Sequence, residues 1–417
     1  MSENNRKNDN LKRSISLPLL ILYGLGTMIG GGIYALTGKV IGVAGMYAPI
    51  AFALSAFLAL ITAFSYAEMA ARFPLSAGEV RYVNAAFSRK NFATLIGWLV
   101  IFMAVVSAAA LASATAGFIQ DFINLPEGPL TAVIVLTLGL VAAWGITQSV
   151  ALVTIITLIE IGGLLLIVFT GRHDLATLDT RWTELIPQQA ELHDFVLWSS
   201  ILSGAFLAFY AFIGFEDMVN VAEEVKDVQR AMPRAIIICI VLTLIMYVLV
   251  ALVAVLSVPL ADLAQSNTPM AVIMDHNGEG IPPYLMGLIS ILATVNGALV
   301  QIIMGARVLY GMGKGGEAPV LFGRVHHKTQ TPLQATSFVI VAALILALLF
   351  DLGVLARVTS TIILFVFAVV NAALLKIKWT EDVPPQGLFS IHWSIPLTGF
   401  AVCSTMLAFE IGRLFIN

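Results

Sequence analysis

The stretch GLGTMIGGG, residues 24–32, decides how the fold of this chain is interpreted. It places five glycines within nine residues, in the middle of an apolar run from residue 17 to residue 41. A glycine inside a helix costs roughly 1 kcal/mol relative to alanine, so this cluster needs a purpose. Two purposes stay open at this point: small residues let membrane helices approach closely, and they also let a helix open inside the membrane.

A second interruption lies in the later half of the chain. The stretch FYAFIGFED, residues 209–217, brings a glycine and two acids into the apolar run 195–221. An opened turn frees backbone N–H and C=O groups, which only a ligand, an ion or water satisfies at that depth. Breaks at matching places in two halves indicate an inverted-repeat transporter that holds its substrate at the breaks.

The composition supports a membrane protein. The 417 residues are 59% hydrophobic and 11% charged, against roughly 45–50% and about 25% in soluble domains. Runs of ~20 apolar residues mark helices that cross the ~30 Å hydrocarbon layer. The sequence therefore predicts an all-α integral membrane protein with eleven transmembrane helices, at residues 17–41, 46–71, 91–120, 129–147, 149–170, 195–221, 233–258, 283–312, 332–350, 352–377 and 394–416.

The order of the spans and the basic residues predict organisation and orientation. We expect an N-terminal tail (1–16), two five-helix repeats (17–170 and 195–377) and a peripheral eleventh helix (394–416). Placing the tail in the cytoplasm assigns all but five of the 22 lysines and arginines to that side, as the positive-inside rule requires. The exceptions are Lys39, Arg172, Arg181, Arg357 and Arg413. The prediction is a multi-pass protein of the cell membrane with a cytoplasmic N-terminus.

Three acids lie at the centre of a predicted span or directly after the second break. Glu160 is at the centre of the fifth span, and Glu216 and Asp217 follow the second break, whereas no Lys, Arg or His occupies the middle of any span. A carboxylate in such a position holds a proton or binds a cation, so the three are candidates for ion coupling and gating, with H⁺ or Na⁺ as the ion. Alternatively, Glu160 is a neutral carboxyl bonded to a neighbouring helix, and the other two cap freed amides.

Other classes of function fit the sequence less well. The formal net charge of −3 provides no basic field for nucleic acid. Cys239 and Cys403 lie in apolar runs and are expected to pack rather than to react. We expect no catalytic residue, no metal site and no cofactor, because an intramembrane enzyme needs a reacting set of side chains that the spans lack. A channel is disfavoured because channels usually form rings of subunits, whereas this chain carries its own repeat.

Four stretches carry a resemblance to a known family. They are GLGTMIGGGIYALTG (24–38), SYAEMAARFPLSAGEVRYV (65–83), FYAFIGFEDMVNVAEEVKDVQRAMP (209–233) and ARVLYGMGKGGEAPVLFGRVHHKTQTP (306–332). In order and spacing they resemble the amino acid/polyamine/organocation (APC) superfamily of transporters, and within it the cationic-amino-acid-transporter-like bacterial branch. The resemblance implies a five-plus-five inverted repeat of the leucine-transporter-like fold, with helices 1 and 6 broken. Most members have twelve spans, so eleven is a departure.

The resemblance also implies a function. The expected activity is secondary active transport of an amino acid or related amine by alternating access, either ion-coupled or by exchange. A polyamine or organic amine permease is the alternative. The expected partners are the substrate and the lipid bilayer. Many relatives that use protons have a lysine where Glu160 aligns, so the role of that lysine does not transfer simply to this chain.

Residues around the breaks form the expected substrate site. The amides of Gly30, Gly31 and Gly32 begin the restarted helix, and the helix dipole there favours a substrate carboxylate. By resemblance, backbone carbonyls at the two breaks receive the α-ammonium group; they belong to Met28, Ile29, Tyr210, Ala211 and Ile213. Phe209, Tyr210 or Phe212 is expected to close over the substrate as a gate, with core or lipid packing as the alternative. Residues such as Ser107 or Asn296 would tune specificity, which leaves the substrate itself open.

Overall fold

The computed structural model describes residues 15–75, 78–120, 122–144, 149–189, 191–278, 280–282, 284–326, 329, 331–381 and 387–414. Regular structure in these ranges is helical, apart from one isolated parallel bridge between Ile15 and Val225. The predicted N-terminal tail (1–16) lies outside the described residues up to residue 14.

The described ranges contain both long and short helices. They are α1 (Leu17–Ile29), α2 (Gly31–Ala44), α3 (Ala48–Arg72), α4 (Gly78–Phe87), α5 (Lys90–Gln120), α6 (Glu127–Trp144), α7 (Ser149–Thr170), α8 (Arg172–Leu175), α9 (Leu178–Leu185), α10 (Phe195–Phe209), α11 (Val228–Ser257), α12 (Leu260–Gln265), α13 (Pro269–Asn277), α14 (Tyr284–Gly315), α15 (Leu333–Leu349), α16 (Leu352–Thr380) and α17 (Ser394–Leu414). The short helices α4, α8, α9, α12 and α13 were not predicted, because none contains an apolar run of spanning length.

The long helices coincide with the predicted spans. Eight helical stretches of the described chain are long and apolar enough to cross a membrane, and the first of them, Leu17–Arg72, contains α1, α2 and α3. Two further apolar helices, Glu127–Ala143 and Leu333–Leu349, are shorter. These helices confirm an all-α, multi-pass membrane protein. The count of eleven crossings and the inverted repeat stay predictions.

The outer surface of the helices is apolar. Leu140 and Phe169 are 73% and 62% exposed, and Phe57, Phe195 and Leu349 are also largely exposed. Contiguous apolar surface of this kind would drive association in water. It suits a lipid environment, while polar residues such as Thr37, Ser203 and Asn371 are buried in the interior.

The first break is confined to one residue. Helix α1 ends at Ile29 and α2 begins at Gly31, while Gly30 between them has a ψ of −162° that no helix accommodates. Other glycines of the stretch serve close packing, since a Cβ atom added to Gly26 would overlap with Thr157 Oγ1. Both purposes left open by the sequence therefore apply, at different positions.

The second break is longer and differently built. Helix α10 ends at Phe209, and two 3₁₀ segments follow it, Tyr210–Phe212 and Glu216–Glu224. Gly214 between them has a φ of +131°, which an L side chain rarely adopts. The α-helical part of the predicted span 195–221 therefore ends at Phe209, and tighter turns take its place.

Packing brings the two breaks into contact. Helix α10 packs against α2 and α3, and α1 packs against α7 and α11. A Cβ atom added to Gly32 would lie 2.7 Å from Ala211 Cα, and one added to Gly214 would lie 2.5 Å from the Thr27 carbonyl oxygen. Only hydrogen fits at either position, so the backbones of the two breaks meet directly in the interior.

Candidate functional site

A buried pocket lies where the two breaks meet. It is lined by the ends of α1 and α2, by the turns after α10, and by one face each of α5 and α14. The lining residues are Thr27, Met28, Gly30, Gly31, Gly32, Ser107, Leu111, Tyr210, Ile213, Gly297, Val300 and Gln301. In the described chain, α16 (predicted span ten) contributes no lining residue.

The three predicted glycines form one wall of the pocket. Gly31 and Gly32 begin α2, a helix of 14 residues, Gly30 directly precedes it, and no side chain caps its first turn. The first N–H groups of a helix have no partner inside the helix, and the helix dipole places partial positive charge there. This wall can therefore bind an anionic group such as a carboxylate.

The predicted carbonyl residues divide into two groups. Met28, Tyr210 and Ile213 line the pocket. Ile29 and Ala211 are buried but are not among the lining residues. The carbonyl oxygens of Met28 and Ala211 both accept hydrogen bonds from the Tyr247 hydroxyl, at 2.7 and 3.1 Å. A carbonyl oxygen has two lone pairs, so one remains for a substrate on the oxygen of Met28, which lines the pocket.

Tyr247 is a functional candidate that the sequence reasoning missed. It lies on α11, is fully buried, and joins the first break to the second through its hydroxyl group. Thr27 joins them a second time, because its hydroxyl donates to the Gly214 carbonyl at 2.9 Å. A lone tyrosine near the middle of the apolar span 233–258 was the available signal.

The three candidate gate residues occupy different places. Tyr210 lines the pocket, and its hydroxyl lies 3.0 Å from the Ser107 hydroxyl across the cavity wall. Phe212 packs against the Tyr247 ring at 5.0 Å, and Phe209 packs edge-on against Phe367. Of the three, Tyr210 alone is a lining residue of the pocket, and the gate role stays a prediction.

Glu160 does not line the pocket, but it contacts a residue that adjoins the pocket wall. It is fully buried on α7, and its Oε1 accepts a 3.3 Å hydrogen bond from Asn296 Nδ2 on α14. Its Oε2 has no hydrogen-bond partner among the described residues. Asn296, which the sequence suggested as a pocket residue, adjoins the lining residue Gly297 and contacts Glu160 instead.

Glu216 and Asp217 are held by amide groups. Glu216 Oε2 accepts from the Gly214 backbone N–H at 2.9 Å, an amide that lies before the 3₁₀ segment Glu216–Glu224 rather than within it. Asp217 Oδ2 accepts from Gln301 Nε2 at 2.9 Å, and Gln301 lines the pocket. Asp217 is thereby connected to the pocket through one side chain.

Glu79 is a further buried acid that the sequence reasoning missed. It lies on the short helix α4, outside the candidate spans, and the Tyr66 hydroxyl donates to its Oε1 at 3.3 Å. Burial raises the pKa of the Glu79 carboxyl from 4.5 to about 7, although its hydrogen bonds oppose the shift. It interacts electrostatically with Glu216 and Asp217. The burial of α4 was not readable from its mixed sequence.

Comparison with known proteins identifies the family. A family model described as amino acid permease matches residues 15–416. The branched-chain amino acid permease BcaP of Bacillus subtilis (strain 168) is 28% identical over 400 residues, which cover 90% of this chain and 83% of the relative.

Two other relatives are of similar identity. The methylthioribose transporter of Bacillus subtilis (strain 168) is 26% identical, over 89% of this chain and 82% of its own. The vacuolar cationic amino acid transporter 4 of Arabidopsis thaliana is 27% identical, over 92% of this chain and 66% of its own, so this chain spans just under two thirds of that relative. The match over nearly the whole chain confirms the resemblance to APC transporters: the chain belongs to the amino acid permease family, whose members are transporters and not enzymes.

Proposed function

We propose that this protein is a secondary active transporter that carries an amino acid, or a related amine, across the cell membrane by alternating access. The observation that carries the proposal is the uncapped first turn of α2, which lines a buried pocket opposite the second break. The site offers amides for an anionic group and carbonyl oxygens for a cationic group within one cavity. An amino acid is a zwitterion that matches both.

The proposal includes the architecture expected from the sequence. The chain crosses the membrane eleven times with its N-terminus in the cytoplasm, and residues 17–170 and 195–377 form two inverted repeats. The direct contact of the breaks supports this arrangement, since each break lies in the first span of its repeat. Relative motion of the two repeats then opens the pocket to one side at a time.

Each end of the substrate has its own contacts in the proposed complex. The carboxylate accepts hydrogen bonds from the amides of Gly30, Gly31 and Gly32. The α-ammonium group donates to carbonyl oxygens of the breaks, those of Met28, Tyr210 and Ile213 being at the pocket. The relatives include a branched-chain amino acid permease and a cationic amino acid transporter, which supports an amino acid as the substrate.

The coupling ion is H⁺ or Na⁺, and Glu160 is the residue we propose to hold it. The carboxyl group has one oxygen without a partner among the described residues, and Asn296 links it to the helix that carries Gly297. Binding of a proton or cation at Glu160 can thus affect the pocket through α14. Glu216 and Asp217 are proposed to contribute to gating. Exchange without net ion movement is the alternative mode.

Uptake by purified protein in liposomes tests the proposal. We expect accumulation of a radiolabelled amino acid that depends on an imposed proton or sodium gradient. Accumulation that survives the collapse of both gradients would contradict coupling, whereas uptake that requires internal amino acid would indicate exchange. Failure to transport any amino acid, with uptake of polyamines instead, would favour the amine permease.

A further inference from the structure

One wall of the pocket is made of side chains rather than backbone. If the substrate carboxylate lies at the start of α2, as the proposed function requires, the side chain of the substrate faces α5 and α14. Those helices contribute Ser107 and Leu111, and Val300 and Gln301. These four residues are therefore the ones that meet the variable part of an amino acid.

The charge of this wall limits the substrate. Ser107, Leu111, Val300 and Gln301 are uncharged, and so are the other lining residues that carry side chains, Thr27, Met28, Tyr210 and Ile213. A lysine or arginine substrate would bury its side-chain cation without a carboxylate beside it, which is strongly unfavourable away from water. An acidic substrate would likewise find no basic side chain among the lining residues.

The neighbouring acids lie behind amide side chains. Asp217 is not a lining residue, and its Oδ2 accepts from Nε2 of Gln301, which does line the pocket. Gln301 presents a neutral amide in front of that carboxyl, and its own Oε1 has no hydrogen-bond partner among the described residues. Glu160 is bonded to Asn296 in the same way. A free acceptor such as Oε1 suits a hydroxyl donor of a substrate side chain.

Leu111 limits the space that is available to a substrate side chain at this wall. A Cβ atom added to Gly31 would lie 2.5 Å from Leu111 Cδ2, and one added to Gly297 would lie 2.9 Å from Leu111 Cδ1. The leucine side chain thus lies against the backbone of both α2 and α14, directly beside the amides proposed for the carboxylate. It occupies the room that a larger substrate side chain would need.

We propose that the pocket selects amino acids with a short, uncharged side chain, and that Leu111 and Gln301 are the specificity-determining residues. Leu111 restricts length, and Gln301 keeps the carboxyl group of Asp217 out of contact with the substrate. This selectivity rests on the proposed function and narrows its substrate class.

Uptake of a panel of radiolabelled amino acids into liposomes tests the wild-type protein. Alanine and serine are expected to have kcat/KM values at least about tenfold above those of phenylalanine and lysine, the range expected for side chains that misfit a pocket. Lysine or arginine uptake as efficient as that of alanine would overturn the selectivity while leaving the proposed function intact. Transport of no amino acid at all would overturn both.

Two variants test the residues named. Leu111→Ala is expected to raise the phenylalanine-to-alanine ratio of kcat/KM about tenfold, and Gln301→Glu to raise the lysine-to-alanine ratio. Leu95→Ala removes the same atoms from an exposed site on α5 and is the matched control. Should Leu111→Ala not fold, Leu111→Val gives a smaller shift in the same direction. Ratios unchanged from wild type in the folded Leu111 and Gln301 variants would overturn the assignment.

Discussion

The two breaks differ in whether the protein itself provides hydrogen-bond partners for the backbone N–H groups that they release from the helix. At the first break, α2 restarts one residue after α1 ends, and no side chain caps its first turn. At the second break, Glu216 returns its carboxylate to the Gly214 amide, and 3₁₀ turns replace the helix. The first break therefore leaves donors available to a ligand, while the second satisfies its own. Matching positions in two halves of a chain need not have matching roles.

A substitution at Gly32 is expected to have the largest effect on transport, because it would separate the two breaks. A Cβ atom there would lie 2.7 Å from Ala211 Cα, a backbone atom that cannot move without shifting the second break. We expect Gly32→Ala to lower kcat/KM for transport by at least ~100-fold, equivalent to about 2.7 kcal/mol. Liposome uptake at equal protein density measures this.

Gly117 provides the control for Gly32. A Cβ atom at Gly117, on α5, meets no atom within 4 Å, so Gly117→Ala adds the same methyl group in open space. Transport by Gly117→Ala is expected to match the wild type. Transport by Gly32→Ala at the level of this control would show that the backbones of the breaks need not touch.

Substitution of Glu160 tests whether the coupling ion binds at this residue, away from both breaks. Glu160→Gln keeps the shape and the hydrogen bond with Asn296 but removes the negative charge. Its uptake is expected to lose its dependence on pH or sodium, with a change of about tenfold in the driven rate, while substrate binding stays measurable. Glu127→Gln, at an exposed position of α6, is the control. Unchanged pH and sodium dependence in Glu160→Gln would remove Glu160 from the mechanism.

Removal of the Tyr247 hydroxyl tests how much its hydrogen bonds to the two breaks contribute to stability. Tyr247→Phe keeps the ring against Phe212 but leaves the Met28 and Ala211 carbonyl oxygens without this donor. A buried acceptor that loses its partner costs about 1–3 kcal/mol, so the melting temperature in detergent should fall by a few degrees. Tyr284→Phe, at an exposed position on α14, should not change it. Equal melting temperatures would mean that the carbonyl oxygens find other donors.

The sequence predicted the breaks but not the contacts that join them. Glycine clusters and acids in apolar runs can be recognised from the sequence alone, so Gly30, Gly214 and Glu160 were identified as candidate functional positions. Tyr247, Leu111 and Glu79 act through neighbours on distant helices, and nothing in their local sequence encodes those neighbours. Hydropathy identified the long apolar helices but missed α4, because it registers length and polarity and not burial by tertiary packing.

Glu79 provides the mildest test, through the pH dependence of stability. Its pKa is raised from 4.5 to about 7 in the folded protein, so the folded state holds a proton that the unfolded state releases between those pH values. The free energy of unfolding should therefore fall as pH rises from about 4.5 to 7, by about 1–3 kcal/mol. Glu79→Gln should flatten this slope in thermal melts at pH 5, 6 and 7. An identical slope in wild type and variant would place Glu79 in contact with water.

The central claim is that the open amides of α2 bind the carboxylate of an amino acid. Calorimetric titration of the purified protein with alanine and with ethylamine, which is alanine without its carboxylate, tests it most directly. The account predicts saturable binding of alanine and none of ethylamine over the same concentration range. Binding of ethylamine as tight as that of alanine would contradict it.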